Sequence, residues 1–208
     1  MKKVGMMSFI ICIFAISCST QDKYEEPTVS KEEAEWVSLF NGENLDGWFV
    51  RGNATWEARD GILIGKDGMG HIYANPVLTD LEIKGMFRVS ENGNSGLYFR
   101  CNPPKDNPDG WPQGYEAQID NHQDAHTGYL WKPGTPTVKA KKLITKDNEW
   151  FAMKVRAVGE NIQIWVNEEL MVDCKDSEFT KGHFAIQGHN PGMMIEIKDI
   201  FYRDLSGK

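Results

Sequence analysis

Several things are scarce in this chain. Among 208 residues there are four cysteines, and no C-x-x-C pair, so a thiolate zinc site has no ligands to start from. Basic residues are outnumbered: 23 Lys and Arg face 30 Asp and Glu, a net charge of −7. A nucleic-acid backbone needs a positive field, and so does an anionic membrane surface, so this overall balance argues against both. No G-x-G-x-x-G follows a strand-like run, so nothing marks a nicotinamide site. No convincing helical periodicity of three turns exists, and no fixed-period repeat.

What is present is turn chemistry and aromatic surface. The chain carries 20 Gly, nine Pro and seven Trp, with 40% hydrophobic residues, which excludes wholesale disorder. The length suits a single domain with a sizeable core.

Residues 1–17 form a secretory signal, with Lys2 and Lys3 ahead of an uncharged run from Val4 to Ser17. The run is shorter than the roughly 20 residues that span a bilayer. It closes on Ala15-Ile16-Ser17-Cys18, which resembles a bacterial lipobox with Ala where Leu is commoner. Cys18 is then the lipid-attachment residue, and the expected location is an exported lipoprotein, periplasmic or at the outer membrane or cell surface. Residues 18–35 read as the acylated end and a flexible tether, with six acidic residues and little apolar surface. Of the remaining cysteines, Cys101 and Cys174 can pair or stay as buried thiols.

From residue 36 to 208 the pattern has period two. Asn41-Gly42, Asp46-Gly47, Arg51-Gly52, Asp60-Gly61, Asp67-Gly68 and Asn92-Gly93 punctuate β-prone runs. Strands are expected at Thr55–Ala58, Ile62–Ile64, His71–Tyr73, Leu81–Val89, Gly96–Cys101 and Tyr115–Asp120. Further ones follow at Trp150–Val158, Ile162–Val166, Leu170–Val172, His183–Gly188 and Met194–Tyr202. Residues 121–140, rich in Gly and Pro, read as a loop, as do residues 101–114. So many short strands imply a sandwich, jelly roll or barrel.

Alternation sorts the side chains. Ser95, Leu97 and Phe99 share one face, as do Tyr115, Ala117 and Ile119, and Phe184 and Ile186. The opposite rows are Asn94, Gly96, Tyr98 and Arg100; Glu116, Gln118 and Asp120; and His183, Ala185, Gln187 and His189. Rows mixing Arg, Glu, Gln, Asp, Tyr and His suit a concave face holding a polyhydroxy ligand. Trp111, Trp131, Tyr98, Tyr129 and Trp165 are candidates to stack on sugar rings, two of them on the long loops.

Leu39-Phe40-Asn41-Gly42-Glu43-Asn44-Leu45-Asp46-Gly47-Trp48 resembles the opening of the 3-keto-disaccharide hydrolase family. Asn94–Arg100, Gly114–Asp120, Thr127–Leu130, Trp165–Asn167, Gly182–Gln187 and Glu196–Ile200 continue the resemblance in family order. His183 departs from it, since a small or aliphatic residue is commoner there. The resemblance implies an all-β, concanavalin A-like jelly-roll β-sandwich of two antiparallel sheets. It implies cleavage of glycosides oxidised at sugar C3, and a partner 3-dehydrogenase that makes the ketone.

A 3-keto sugar has an acidic C2 proton. Removing it gives an enolate that expels the C1 substituent, so the site needs a base, an oxyanion stabiliser and a proton donor. His189 is the expected base, Glu116 an alternative base or the group orienting it, and Arg100 the enolate or hydroxyl clamp. Asn94, Tyr98, Gln118, Asp120, Gln187, Lys141, Trp131 and Trp111 are expected to bind substrate. Glu116 and Asp120, roughly 13 Å apart on one strand at about 3.3 Å per residue, fail as an adjacent glycosidase pair. A divalent metal is a further candidate, because Asp120, His122, Asp124 and His126 alternate, although their spacing matches no strong metal motif. Competing readings are a non-catalytic carbohydrate-binding lipoprotein and a conventional glycoside hydrolase.

Overall fold

A computed structural model describes residues 34–207. The signal segment, Cys18 and most of the expected tether lie outside the described residues. The described chain is all β, in fifteen strands. The first eight are β1 (Val37–Ser38), β2 (Trp48–Gly52), β3 (Thr55–Arg59), β4 (Ile62–Lys66), β5 (Gly70–Ala74), β6 (Leu81–Val89), β7 (Asn94–Asn102) and β8 (Gln113–Asp120). The rest are β9 (Leu130–Lys132), β10 (Thr135–Val138), β11 (Phe151–Val158), β12 (Asn161–Val166), β13 (Glu169–Lys175), β14 (His183–Gly188) and β15 (Met194–Asp204).

They form two antiparallel sheets. One runs β13-β12-β11-β6-β15-β4-β3, with β1 added on β15; the other runs β10-β9-β8-β7-β14-β5-β2. This is the expected two-sheet sandwich. Asp60 and Gly61, at φ 53° and 76°, turn β3 into β4 with both central residues left-handed, the conformation that suits a tight hairpin. The core lies between the sheets. Leu97, Phe99, Tyr115, Ala117 and Ile119 meet Phe87, Val155 and Ile197 there, all fully buried. Each buried Leu, Ile, Val or Phe side chain among them contributes roughly 1.5–3 kcal/mol by leaving water.

Residues 121–140 differ from the expected loop, since β9 and β10 form a hairpin within them. Pro133-Gly134 is the turn: Lys132 pairs with Thr135, and Gly134 takes φ 78°. The Pro and Gly that suggested a loop are the hairpin's corner. Pro136 is tolerated because β10 is an edge strand. Cys101 and Cys174 are both free, and they lie in different sheets.

Candidate active site

Lateral pairing in the seven-stranded sheet builds the site. One row across its outer face carries Trp131, Glu116, Tyr98, Ala185, Tyr73 and Phe49 on six neighbouring strands. The next row carries Gln118, Gly96, Gln187, His71 and Arg51. Gly96 matters here because the Glu116 side chain lies across it: a Cβ at Gly96 would come within 2.0 Å of Glu116 Oε1.

A cavity of about 300 Å³ opens on these rows. Asn94, Tyr98, Glu116, Gln118, Gln187 and His189 line it from the strands and their ends, and Trp111, Gln123 and Trp131 wall it from the rim. The volume falls at the low end for small-molecule sites. Six of the eight expected substrate-binding residues therefore converge, together with Glu116 and His189 from the expected catalytic set.

Arg100 is a correction. Its guanidinium does not line the cavity; it binds Thr79 O at 2.7 Å, Gly159 O at 2.8 Å and Asp80 Oδ1 at 3.2 Å. The register of β7 slips after Phe99, and Arg100 takes φ 48°, which turns the alternation over. Arg100 thus bolts two loops at one end of the sandwich, and Cys101 takes its place on the outer face, beside Tyr73 and Tyr98. Lys141 is exposed and also lies outside the cavity lining. Asp120 is buried behind the lining. Its carboxylate accepts from the amide of His122 at 2.7 Å and from Gln123 Nε2 at 2.8 Å, so it aims Gln123 rather than substrate.

The alternating Asp and His run does not gather either. His122 pairs with Asp147 at 2.7 Å, and His126 bonds Thr127 O. Among the described residues no three His, Cys, Asp or Glu side chains are placed to hold a metal ion.

The electrostatics separate the carboxyl and the imidazole that line the cavity. Burial pushes the Glu116 carboxyl up to about 8, although the Tyr98 hydroxyl, donating to Oε2 at 2.7 Å, pulls it back. Burial lowers His189 below the usual imidazole value, with Asp120 raising it partly. At neutral pH Glu116 therefore holds a proton and His189 offers a lone pair. Gln187 Nε2 donates to Tyr98 at 3.0 Å and completes the chain Gln187–Tyr98–Glu116. With its amide nitrogen turned inward, Gln118 donates to Ser95 O and Glu116 Oε1, each at 3.1 Å.

Several buried polar atoms here have no hydrogen-bond partner among the described residues: Asn94 Oδ1, Gln187 Oε1, Trp131 Nε1, Tyr73 OH and both ring nitrogens of His71. Buried polar groups are normally satisfied, so a cluster of exceptions on one face marks where a polar ligand would sit. Sequence reasoning passed over His71 and Gln123. The signal for His71 was weak, since only the pairing of β5 with β14 sets it beside Gln187.

A concanavalin A-like sandwich with an acid, a base and two indoles in one hollow defines a carbohydrate-acting domain. The chain belongs to the 3-keto-alpha-glucoside-1,2-lyase-like domain family, whose model matches residues 35–206. A candidate glycosyl hydrolase of Parabacteroides distasonis ATCC 8503 shares the fold at TM-score 0.66 and 22% identity, over 82% of this chain and all of that one. The carbohydrate-binding module CBM66 of Bacillus subtilis is similar at TM-score 0.62 and 23% identity, over 78% of this chain and 98% of that one. Levanase of Bacillus subtilis strain 168 is 24% identical over 169 residues, 79% of this chain. The chain spans about a quarter of the levanase, matching 24% of its length.

Proposed function

We propose that this domain cleaves 3-keto-glycosides at the anomeric carbon by base-assisted elimination. The observation that carries the reading is the opposite effect of burial on Glu116 and His189, which leaves a protonated acid and an unprotonated base in one cavity. His189 takes the C2 proton, and the C–H electrons pass through the C2–C3 bond onto the ketone oxygen. The enolate collapses and breaks the C1–O bond, and the leaving oxygen takes the Glu116 proton. Water then adds across the C1–C2 double bond, returning a proton to Glu116 while His189 gives its proton back to C2.

The enolate role first given to Arg100 passes to neutral donors. Trp131 Nε1 is unpartnered in the cavity wall, and the Gln118 amide lies beside Glu116. Asn94 Oδ1 and Gln187 Oε1 are free to accept from sugar hydroxyls. On the same reading Cys18 carries a lipid anchor, and a separate oxidoreductase supplies the ketone.

Among the described residues, Glu116 is the sole carboxylate lining the cavity, which disfavours a conventional two-carboxylate hydrolase. Sugar binding without turnover is the second reading, favoured by the likeness to CBM66 and by the indole walls Trp111 and Trp131. Incubation with an ordinary disaccharide and its 3-keto form separates these readings. Selective loss of the keto form is expected, and Glu116→Gln should slow it by about 10²–10⁴-fold with the fold intact. Undiminished turnover by that variant, or equal cleavage of both sugars, overturns the mechanism. Binding without cleavage selects the second reading.

A further inference from the structure

We propose that His71 is the floor of a second sugar subsite, closed in this conformation by the Trp111 indole, which takes the leaving-group ring of a disaccharide. The identity of the sugar rests on the function proposed above; the subsite itself rests on three observations.

First, His71 is buried at 2% exposure, yet neither ring nitrogen has a hydrogen-bond partner among the described residues. Burial holds the ring uncharged, so it keeps one donor and one acceptor on offer. An apolar ring would pack against Tyr98 and Tyr73 without that desolvation loss, so a purely structural position has no use for imidazole.

Second, its neighbours continue the substrate cavity. Gln187, directly opposite across the β14–β5 pairing, lines the cavity and leaves its own Oε1 unpartnered. Tyr73, two residues along β5, buries an unpartnered hydroxyl on the same face. Polar atoms awaiting partners therefore extend past the present end of the hollow.

Third, the cover is of the right kind. The Trp111 ring stands edge-on to His71 at 5.8 Å and tilted to His189 at 5.5 Å between centroids, so it separates the two imidazoles. It is nonetheless 44% exposed. The backbone on either side is held: Asp109 accepts from Gly52 N at 3.0 Å, and Gln113 Nε2 donates to Trp111 O at 3.3 Å. Rotation of the indole alone would join His71 to the cavity, and the displaced ring would offer its face to the incoming sugar.

The test compares a 3-keto-disaccharide with the methyl 3-keto-glycoside, which lacks the second ring. His71→Phe should raise KM for the disaccharide about tenfold or more, leave the methyl glycoside within about twofold, and raise Tm. A merely structural histidine would lower Tm and affect both substrates alike, and that pattern overturns the proposal. A second arm needs no catalysis. The ¹⁵N signals of the His71 imidazole should shift when an ordinary disaccharide is added, and shift more readily in Trp111→Ala. Signals unmoved in both proteins overturn the subsite. If wild type turns over neither keto sugar, the catalytic reading falls, while this arm still decides the subsite.

Discussion

Gly96 is where a missing side chain does chemistry. Glu116 lies across it, so its carboxyl is pressed into a dry position and its proton is retained to about pH 8. Gly96→Ala should push Glu116 off the sheet, cost about 1–3 kcal/mol in stability, and move the alkaline limb of kcat/KM toward lower pH as the carboxyl regains solvent. The unaltered protein should show a bell. Its acid limb follows His189, below the ordinary imidazole value, because the base must be neutral. Its alkaline limb lies near 8, because the acid must be protonated. A pH profile of kcat/KM checks both; an alkaline limb unmoved in Gly96→Ala would show that Glu116 is not the acid. At this scale alternation was a good guide: Tyr98, Glu116, Gln118 and Gln187 could all be placed from period two. It failed at Arg100 because a left-handed φ inverts the count, and nothing in the residue's own chemistry announces that.

The elements show why some parts of the fold were legible and others not. Long strands such as β6, β7, β8, β11 and β15 carry several periods of alternation, so their existence and inward faces could be read directly. The two-residue β1 and three-residue β9 are too short to show a period, and the β9–β10 hairpin looked like a loop because its corner is Pro-Gly. The bulge in β7 is the element-level feature with most consequence. It sends Arg100 to the loops before β6 and between β11 and β12, where backbone carbonyls and Asp80 saturate it. Arg100→Met should therefore destabilise the protein by more than about 2 kcal/mol, since it strips partners from a buried network. It should leave kcat/KM of the folded fraction unchanged. Chemical denaturation beside steady-state kinetics measures both, and a large kcat loss at unchanged stability would return Arg100 to the reaction.

For the whole molecule, buried titratable groups set the response to pH. Folding raises the Glu116 carboxyl from 4.5 to about 8. Between those values the unfolded chain has released a proton that the folded chain keeps, so stability falls as pH rises through that window and is level above it. His71 works in the other direction. Folding lowers it from 6.5 to about 3, so the folded chain lacks a proton that the unfolded chain binds, and stability drops as pH falls from 6.5 toward 3. Melting temperature against pH should lose its decline between the unfolded and folded Glu116 values in Glu116→Gln and flatten on the acid side in His71→Phe. Convergence of distant strands on one hollow was a tertiary outcome. The polar rows announced a ligand-holding face, but only the strand order β8-β7-β14-β5 brings Glu116, Gln187 and His71 side by side.

The hollow draws its Glu116, Tyr98, Gln118, Gln187 and Trp131 from paired strands, and its Trp111 and Gln123 from the segments above them. On the proposed mechanism, chemistry and choice of substrate are thus mounted on separable parts. Transplanting those upper segments between relatives should retune which glycoside is accepted while the bond-breaking apparatus beneath carries over unchanged, a modular route by which one scaffold diversifies.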